Sequence, residues 1–194
     1  MANLKGTKTA ENLLKSFAGE SQARNRYTFY GAIAREEGYV QISNVFYETA
    51  ENERAHAKRF FDLLKEDTNG DQIEITGEYP VAIRDTKGNL LSAAIGENEE
   101  WSDLYPAFGN EAQGEGFKAV ASAFSTIAEV EKRHETRFRK LLANMEANKV
   151  FSKDKETLWK CNNCGYIYIG ASAPEACPAC LYPKSYFEIF TENY

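Results

Sequence analysis

A chain of 194 residues has room for one good core, or for a core domain with a small module attached. Its formal net charge of -6 and pI near 5.2 argue against a nucleic-acid or anionic-membrane surface, and 43% hydrophobic with 27% charged residues is an ordinary globular composition. No apolar run is long enough for a membrane span, and "MANLKGTKTAENLLKSFAGE" has no apolar signal core, so a cytoplasmic protein is expected.

The first predicted helix carries Leu13, Phe17, Glu20 and Tyr27 on one face. It turns at "EEGY" (36–39), where glycine suits the left-handed conformation that ends helices. The second helix bears the stripe Ile42, Phe46, Thr49, Glu53, His56, Phe60 and Leu63. Steps of three and four point Glu53 and His56 into an otherwise apolar core. Residues 66–89 hold Gly, Pro and Asp punctuation and a short strand-like piece, enough to run a bundle's full height. In the third helix Glu97, Glu100, Leu104 and Glu111 lie on or near one stripe, and Pro106 is expected to bend it. The fourth, after "GEGF" (114–117), carries Val120, Phe124, Ile127, Glu131, His134, Phe138, Leu141 and Met145.

The only two histidines therefore both sit in Glu-x-x-His on apolar stripes. Sliding the chain by 78 residues aligns 27–64 with 105–142 without a gap, pairing Tyr27/Tyr105, Gly38/Gly116, Phe46/Phe124, Glu53/Glu131 and His56/His134. A period this long is a duplicated helical hairpin. The same offset sets Asn98 opposite Glu20, so a one-residue insertion or π-bulge is expected near Glu97–Glu100. The architecture is an all-α four-helix bundle with one long crossover, spanning 1–147.

Glu20, Glu53, Glu97, Glu100 and Glu131 converging with two imidazoles would repel one another and be driven neutral unless compensated. Two trivalent irons with a bridging oxide carry about +4, which nearly cancels five carboxylates. Carboxylate with imidazole suits iron or manganese, and this is a dimetal bundle's ligand set. A lone Glu-x-x-His is ordinarily a solvated pair; two, related by a repeat, argue otherwise. Glu51 and Glu129 are expected to face solvent, and Glu111 and Glu115 to be surface charge. Tyr27 and Tyr105 are core aromatics or hydrogen-bond partners of ligand carboxylates.

A linker is expected at 148–157, then a small, β-poor module at 158–194. It holds all four cysteines, in "CNNC" (161–164) and "CPAC" (177–180), ringed by aromatic residues. Too small for its own apolar core, it would be completed by a metal on Cys161, Cys164, Cys177 and Cys180. Four thiolates fit zinc as well as iron, and spacing alone favours zinc.

"CNNCGYIY" with "CPAC" resembles a rubredoxin iron site, and the whole chain, through "FAGESQARNRYTFY", "ENERAHAKRFF", "GENEEWSDLYP" and "EVEKRHETRF", resembles rubrerythrin. The resemblance implies a ferritin-like bundle with a di-iron site, oxo-bridged when oxidised, on Glu20, Glu53, His56, Glu97, Glu100, Glu131 and His134, with Glu53 and Glu131 bridging. It also implies one mononuclear iron in the four-cysteine site. The implied reaction is reduction of hydrogen peroxide to water, in defence against oxidative stress. Electrons would come from an external donor, rubredoxin or an NAD(P)H-dependent reductase, through the four-cysteine iron. His56 and Glu100 would alternate on one iron with its oxidation state, and Tyr27 and Tyr105 are grouped with them as residues bearing on catalysis. The alternatives are a ferroxidase or iron-handling protein, for which the cysteine module has no use, and a non-catalytic zinc-bearing interaction module. From His134 to the helix end near Ala147 is roughly 20 Å at 1.5 Å per residue. A head-to-tail homodimer, with electrons passing between chains, is therefore expected.

Overall fold

The computed structural model describes residues 3–68 and 70–193; Asn69, in the predicted crossover, lies outside them. Five α-helices precede a small sheet: α1 (Lys8–Glu36), α2 (Val40–Thr68), α3 (Thr86–Glu99), α4 (Tyr105–Gly114) and α5 (Lys118–Glu146). A π-helical turn, Glu100–Leu104, joins α3 to α4 without leaving helical backbone angles, so the two form the third rod of a four-helix bundle. α1 packs mainly on α2, and α3 and α4 on α5, giving the two hairpins of the repeat.

Both hairpins turn as expected. Gly38 (φ 84°) and Gly116 (φ 90°) take left-handed conformations, and the N–H of the following aromatic residue closes each turn: Tyr39 to the Ala34 carbonyl and Phe117 to the Ala112 carbonyl, both 2.7 Å. Thr7 caps α1 by accepting from the Ala10 N–H at 3.1 Å, and Asp85 caps α3 by accepting from the Gly88 N–H at 2.8 Å. Glu115 is not free surface charge. Its carboxylate accepts from the N–H groups of Lys8 (3.1 Å) and Thr9 (2.9 Å), covering the first turn of α1.

The crossover climbs along α1. Low on α1 the Tyr79 hydroxyl donates to the Lys15 carbonyl (3.2 Å); higher up the Tyr30 hydroxyl donates to the Ala82 carbonyl (3.0 Å). At the top the Thr86 N–H donates to the Glu37 carboxylate at 3.0 Å, where α1 ends. The four-helix topology with one full-height crossover is the one expected.

The repeat is visible in the core. Tyr27, Phe46 and Phe138 form a trio with ring centroids 6.0, 5.4 and 5.1 Å apart. Their repeat partners Tyr105, Phe124 and Phe60 form another, at 5.7, 5.6 and 5.0 Å. Each anchors one of two apolar clusters in the bundle. Fully burying one such phenylalanine contributes about 1.5–3 kcal/mol, so six rings give a firm frame.

The π turn accounts for the slip in the repeat. The Tyr105 N–H reaches back five residues to the Glu100 carbonyl rather than four. Ahead of this turn the repeat offset is 77 residues (Gly19/Gly96, Glu20/Glu97), and beyond it 78 (Tyr27/Tyr105). One extra residue rotates the following helix by about 100°. Leu104 therefore faces outward, against the stripe expected of it, Glu111 is exposed as expected of surface charge, and Tyr105 and Ala112 turn inward. Pro106 stands in the first turn of α4, where a missing N–H costs little, and the irregularity expected of it falls in the π turn ahead.

The module is a three-stranded antiparallel sheet of order β2-β1-β3, with β1 Ser152–Cys161, β2 Ile167–Ser172 and β3 Phe187–Ile189. Residues 152–157, expected as linker, already belong to β1. Charged and exposed, they show no alternation to betray a strand. Trp159 is fully buried and donates from Nε1 to the Gly170 carbonyl at 2.9 Å. The module rests against the α1–α2 turn of its own bundle, where the Phe151 ring stacks on Tyr39 with centroids 6.1 Å apart and planes 4° from parallel.

Candidate metal centres

Between the aromatic trios lies a polar layer. Glu20, Glu53, Glu97, Glu131 and His134 are buried, and His56 leaves 13% of its side chain exposed. Their donor atoms fall into two sets, each within 4.8 Å: Glu20, Glu53, His56 and Glu131, and Glu53, Glu97, Glu131 and His134. Only Glu53 and Glu131 belong to both.

The two shared carboxylates divide their oxygens between the sets. His56 Nδ1 lies 3.0 Å from Glu53 Oε2 and 2.9 Å from Glu131 Oε1. His134 Nδ1 lies 3.3 Å from Glu53 Oε1 and 2.8 Å from Glu131 Oε2. Each set adds one further glutamate, with Glu20 Oε1 3.8 Å from His56 Nδ1 and Glu97 Oε2 3.4 Å from His134 Nδ1. The geometry offers two candidate metal positions that would share the carboxylates of Glu53 and Glu131.

The outer glutamates are held from behind. The Tyr105 hydroxyl donates to Glu20 Oε1 at 2.5 Å and the Tyr27 hydroxyl to Glu97 Oε1 at 2.6 Å, a pair related by the repeat. Each tyrosine reaches across to the other hairpin, so the second of the two sequence readings of these residues fits. The remaining oxygens, Glu20 Oε2, Glu97 Oε2 and both of Glu53 and Glu131, are buried without hydrogen-bond partners, as are both imidazole Nδ1 atoms. Buried polar atoms are ordinarily paired, so eight orphans in one layer fit bound cations.

Electrostatics agree. Burial, then repulsion from the neighbouring carboxylates, pushes Glu20, Glu97 and Glu100 well above the ordinary carboxylate range. Burial alone would lower the His56 imidazole, but Glu131 and Glu53 outweigh it and hold it up at about 9. The same balance raises His134 further. The layer thus retains protons that metals would displace.

Glu100 differs from the other four glutamates. It lies on the π turn, half-buried, and falls outside both donor sets. Glu51 and Glu129 face solvent as expected. A buried neighbour escaped the sequence reading: Glu135 accepts from Trp101 Nε1 (2.6 Å), Asn98 Nδ2 (3.2 Å) and Arg139 Nε (2.5 Å), tying the π turn to α5. Its Ala57 counterpart in the repeat gave no signal.

In the module, Cys161 Sγ lies 3.8 Å from Cys180 Sγ and Cys164 Sγ 3.6 Å from Cys177 Sγ. A disulfide needs about 2.05 Å. Tetrahedral thiolates on a metal with bonds of about 2.3 Å stand about 3.8 Å apart. All four sulfurs gather in one set, so the residues fit a four-coordinate metal. The knuckles are alike: the Gly165 N–H donates to the Cys161 carbonyl and the Leu181 N–H to the Cys177 carbonyl, both at 2.9 Å, with both residues in left-handed conformations.

Comparison with known proteins agrees with this geometry. The family model described as Rubrerythrin matches residues 11–142 and 88–160, and that described as Rubrerythrin, rubredoxin-like domain, matches 159–188. The chain is 64% identical to Rubrerythrin-1 of Clostridium acetobutylicum over the full length of both, and 45% identical to Rubrerythrin of Nitratidesulfovibrio vulgaris over the full length of both. Among solved structures, fully reduced, all-ferrous nigerythrin superposes with a TM-score of 0.64 at 33% identity, over 97% of this chain and 92% of that one. A bacterioferritin of Desulfovibrio desulfuricans shares the fold, with a TM-score of 0.66 at 22% identity over 73% of this chain and 82% of that one.

Proposed function

The chain belongs to the rubrerythrin family, as an iron-dependent oxidoreductase of oxidative-stress defence with a di-iron site and a rubredoxin-type iron, and from that premise we propose that it reduces hydrogen peroxide to water. The observation that carries the reading is the pairing, on one chain, of a doubly carboxylate-bridged site with a four-cysteine centre. Iron storage needs no dedicated one-electron relay, and the ferroxidase alternative draws on the fold alone.

When bound, the iron pair supplies two electrons, one per metal, to an O–O bond that breaks as two protons are taken up and two waters form. The chain's own residues prepare for this. Tyr27 holds Glu97 through Oε1 and leaves Oε2 beside His134, while Tyr105 holds Glu20 through Oε1, the oxygen that also lies nearest His56. The aromatic trios above and below keep water from the layer, which strengthens every electrostatic contact within it. Glu100, on the π turn and outside both donor sets, is the residue that would exchange with His56 as a ligand if the pair changed oxidation state.

Cys161, Cys164, Cys177 and Cys180 would hold an iron suited to relaying single electrons from an external donor, rubredoxin or an NAD(P)H-dependent reductase. The module rests beyond the far end of α5, about 18 Å along the helix from His134. A head-to-tail homodimer, each module beside its partner's irons, would shorten that path.

Stopped-flow oxidation of the fully reduced protein tests the reaction. Hydrogen peroxide should oxidise it faster than dioxygen does; the opposite order would favour a ferroxidase. Mixing Cys161→Ser with Glu53→Ala under subunit exchange tests the path. Donor-dependent peroxidase activity should reappear in the heterodimer, and its absence, with the remaining metal sites intact, would mean each module serves its own bundle.

A further inference from the structure

Beside the polar layer lies a partly open cavity of about 280 Å³, lined by α1, α3, the π turn, α4 and the crossover at Gly77–Pro80. Glu100 and Tyr105 line it, and Tyr105 donates to Glu20, so one side chain separates the cavity from the nearer donor set. Tyr79 roofs it, pinned by its hydroxyl to the Lys15 carbonyl.

Two facing walls are bare. Gly19 in α1 and Gly96 in α3 both line the cavity, each immediately preceding a metal-layer glutamate, and they are partners in the 77-residue offset. Glycine inside a helix costs about 1 kcal/mol relative to alanine. Neither has a positive φ, and packing does not demand one: an added Cβ would meet only Tyr79 Cε1 at Gly19 and Arg26 Nη2 at Gly96, each at 3.9 Å. What both glycines preserve is the empty space itself.

We infer that this cavity is the chamber through which a small uncharged peroxide reaches the iron pair, and that Gly19, Gly96 and Tyr79 set the size of peroxide admitted. The inference deepens the peroxidase reading and rests on it for the identity of the substrate. A water molecule's share of liquid volume is about 30 Å³, so the chamber exceeds the needs of hydrogen peroxide and has room for a short alkyl hydroperoxide. Its lining combines apolar Tyr79, Leu104 and Phe108 with the opposed charges of Arg26 and Glu99, suiting a neutral molecule with an apolar side and an O–H group.

The test uses the full-length, iron-loaded protein and the variants Gly96→Ala, Gly96→Leu and Tyr79→Ala. Azide binding to the oxidised irons, followed by absorbance, reports access independently of turnover. Hydrogen peroxide and tert-butyl hydroperoxide, mixed with reduced protein, report size selection. Gly96→Ala should raise the thermal midpoint and slow azide and both peroxides less than Gly96→Leu does. Gly96→Leu, with iron content unchanged, should slow azide binding and hydrogen peroxide about tenfold, and tert-butyl hydroperoxide more, the scale on which pockets reject bulk. Tyr79→Ala should favour the alkyl hydroperoxide relative to hydrogen peroxide. Azide and both peroxides reacting at wild-type rates with Gly96→Leu would overturn the inference. Should that variant lose iron, Gly19→Leu closes the chamber from the opposite wall and decides on the same readings. Wild-type protein that reduces neither peroxide, with azide still slowed by Gly96→Leu, would leave the chamber standing and remove the peroxidase reading.

Discussion

At the level of single residues, the metal layer depends on hydroxyl groups that never touch a metal. Tyr105→Phe keeps the ring in its aromatic trio and removes only the donor to Glu20. Iron affinity is expected to fall about 10–100-fold with the fold intact, the usual cost of losing such an outer partner, and competition against a chelator measures it. Tyr27→Phe should cost about the same. Protonation is the second residue-scale consequence. Glu20, Glu97 and Glu100 are raised, so the metal-free folded chain holds protons that the unfolded chain releases, and stability is lost as pH climbs above the ordinary carboxylate range. His56, raised to about 9, adds stability in full below its unfolded value near 6.5 and loses it as pH rises through 9. Glu131, lowered because its two imidazoles outweigh burial, works the other way and is the exception. The metal-free protein should therefore melt at lower temperature at pH 9 than at pH 6. Adding ferrous iron at neutral pH should release protons, visible with an indicator dye; no release would mean the layer is already deprotonated. The glutamates and histidines were legible in the sequence because the repeat displays them twice. Glu115 and Glu135 were not, since each acts on a segment distant in sequence, and a single acidic residue carries no spacing to read.

Among elements, the π turn is the part that breaks the symmetry of the two hairpins, and its position follows from the change of offset from 77 to 78 residues. Deleting Ser102 should restore an ordinary helix and rotate α4 by about 100°. Tyr105 would leave both Glu20 and the trio with Phe60 and Phe124. A loss of about 3–5 kcal/mol, the scale of removing a buried aromatic side chain, is expected in chemical denaturation, together with reduced iron content. Full stability in the deletion variant would show that the extra residue is only a spacer. The sequence revealed that a slip was needed but not which way the helix beyond it would turn, so Leu104 was placed on the inward stripe. The first strand of the module was hidden for a different reason. The strand opens with Ser152 paired to Ser172, is interrupted by an irregularity, and resumes pairing at Thr157, and side-chain pattern is silent about backbone pairing of that kind.

At the level of the whole molecule, the crossover is what makes two similar hairpins into one chain. It carries Val81, 98% exposed, on a stretch without regular secondary structure. The contacts that unite the hairpins, the shared bridging carboxylates and the tyrosines donating across, lie elsewhere, inside the bundle. Covalent continuity and cohesion are thus separable here. A single nick beside Val81 should leave two fragments that migrate together in native gels, keep their iron, and part only when denatured. Fragments that separate at once on cleavage would show that the crossover supplies the cohesion. If they hold, the two pieces expressed separately should reassemble around iron, with the metal pair acting as the clasp between complementary halves.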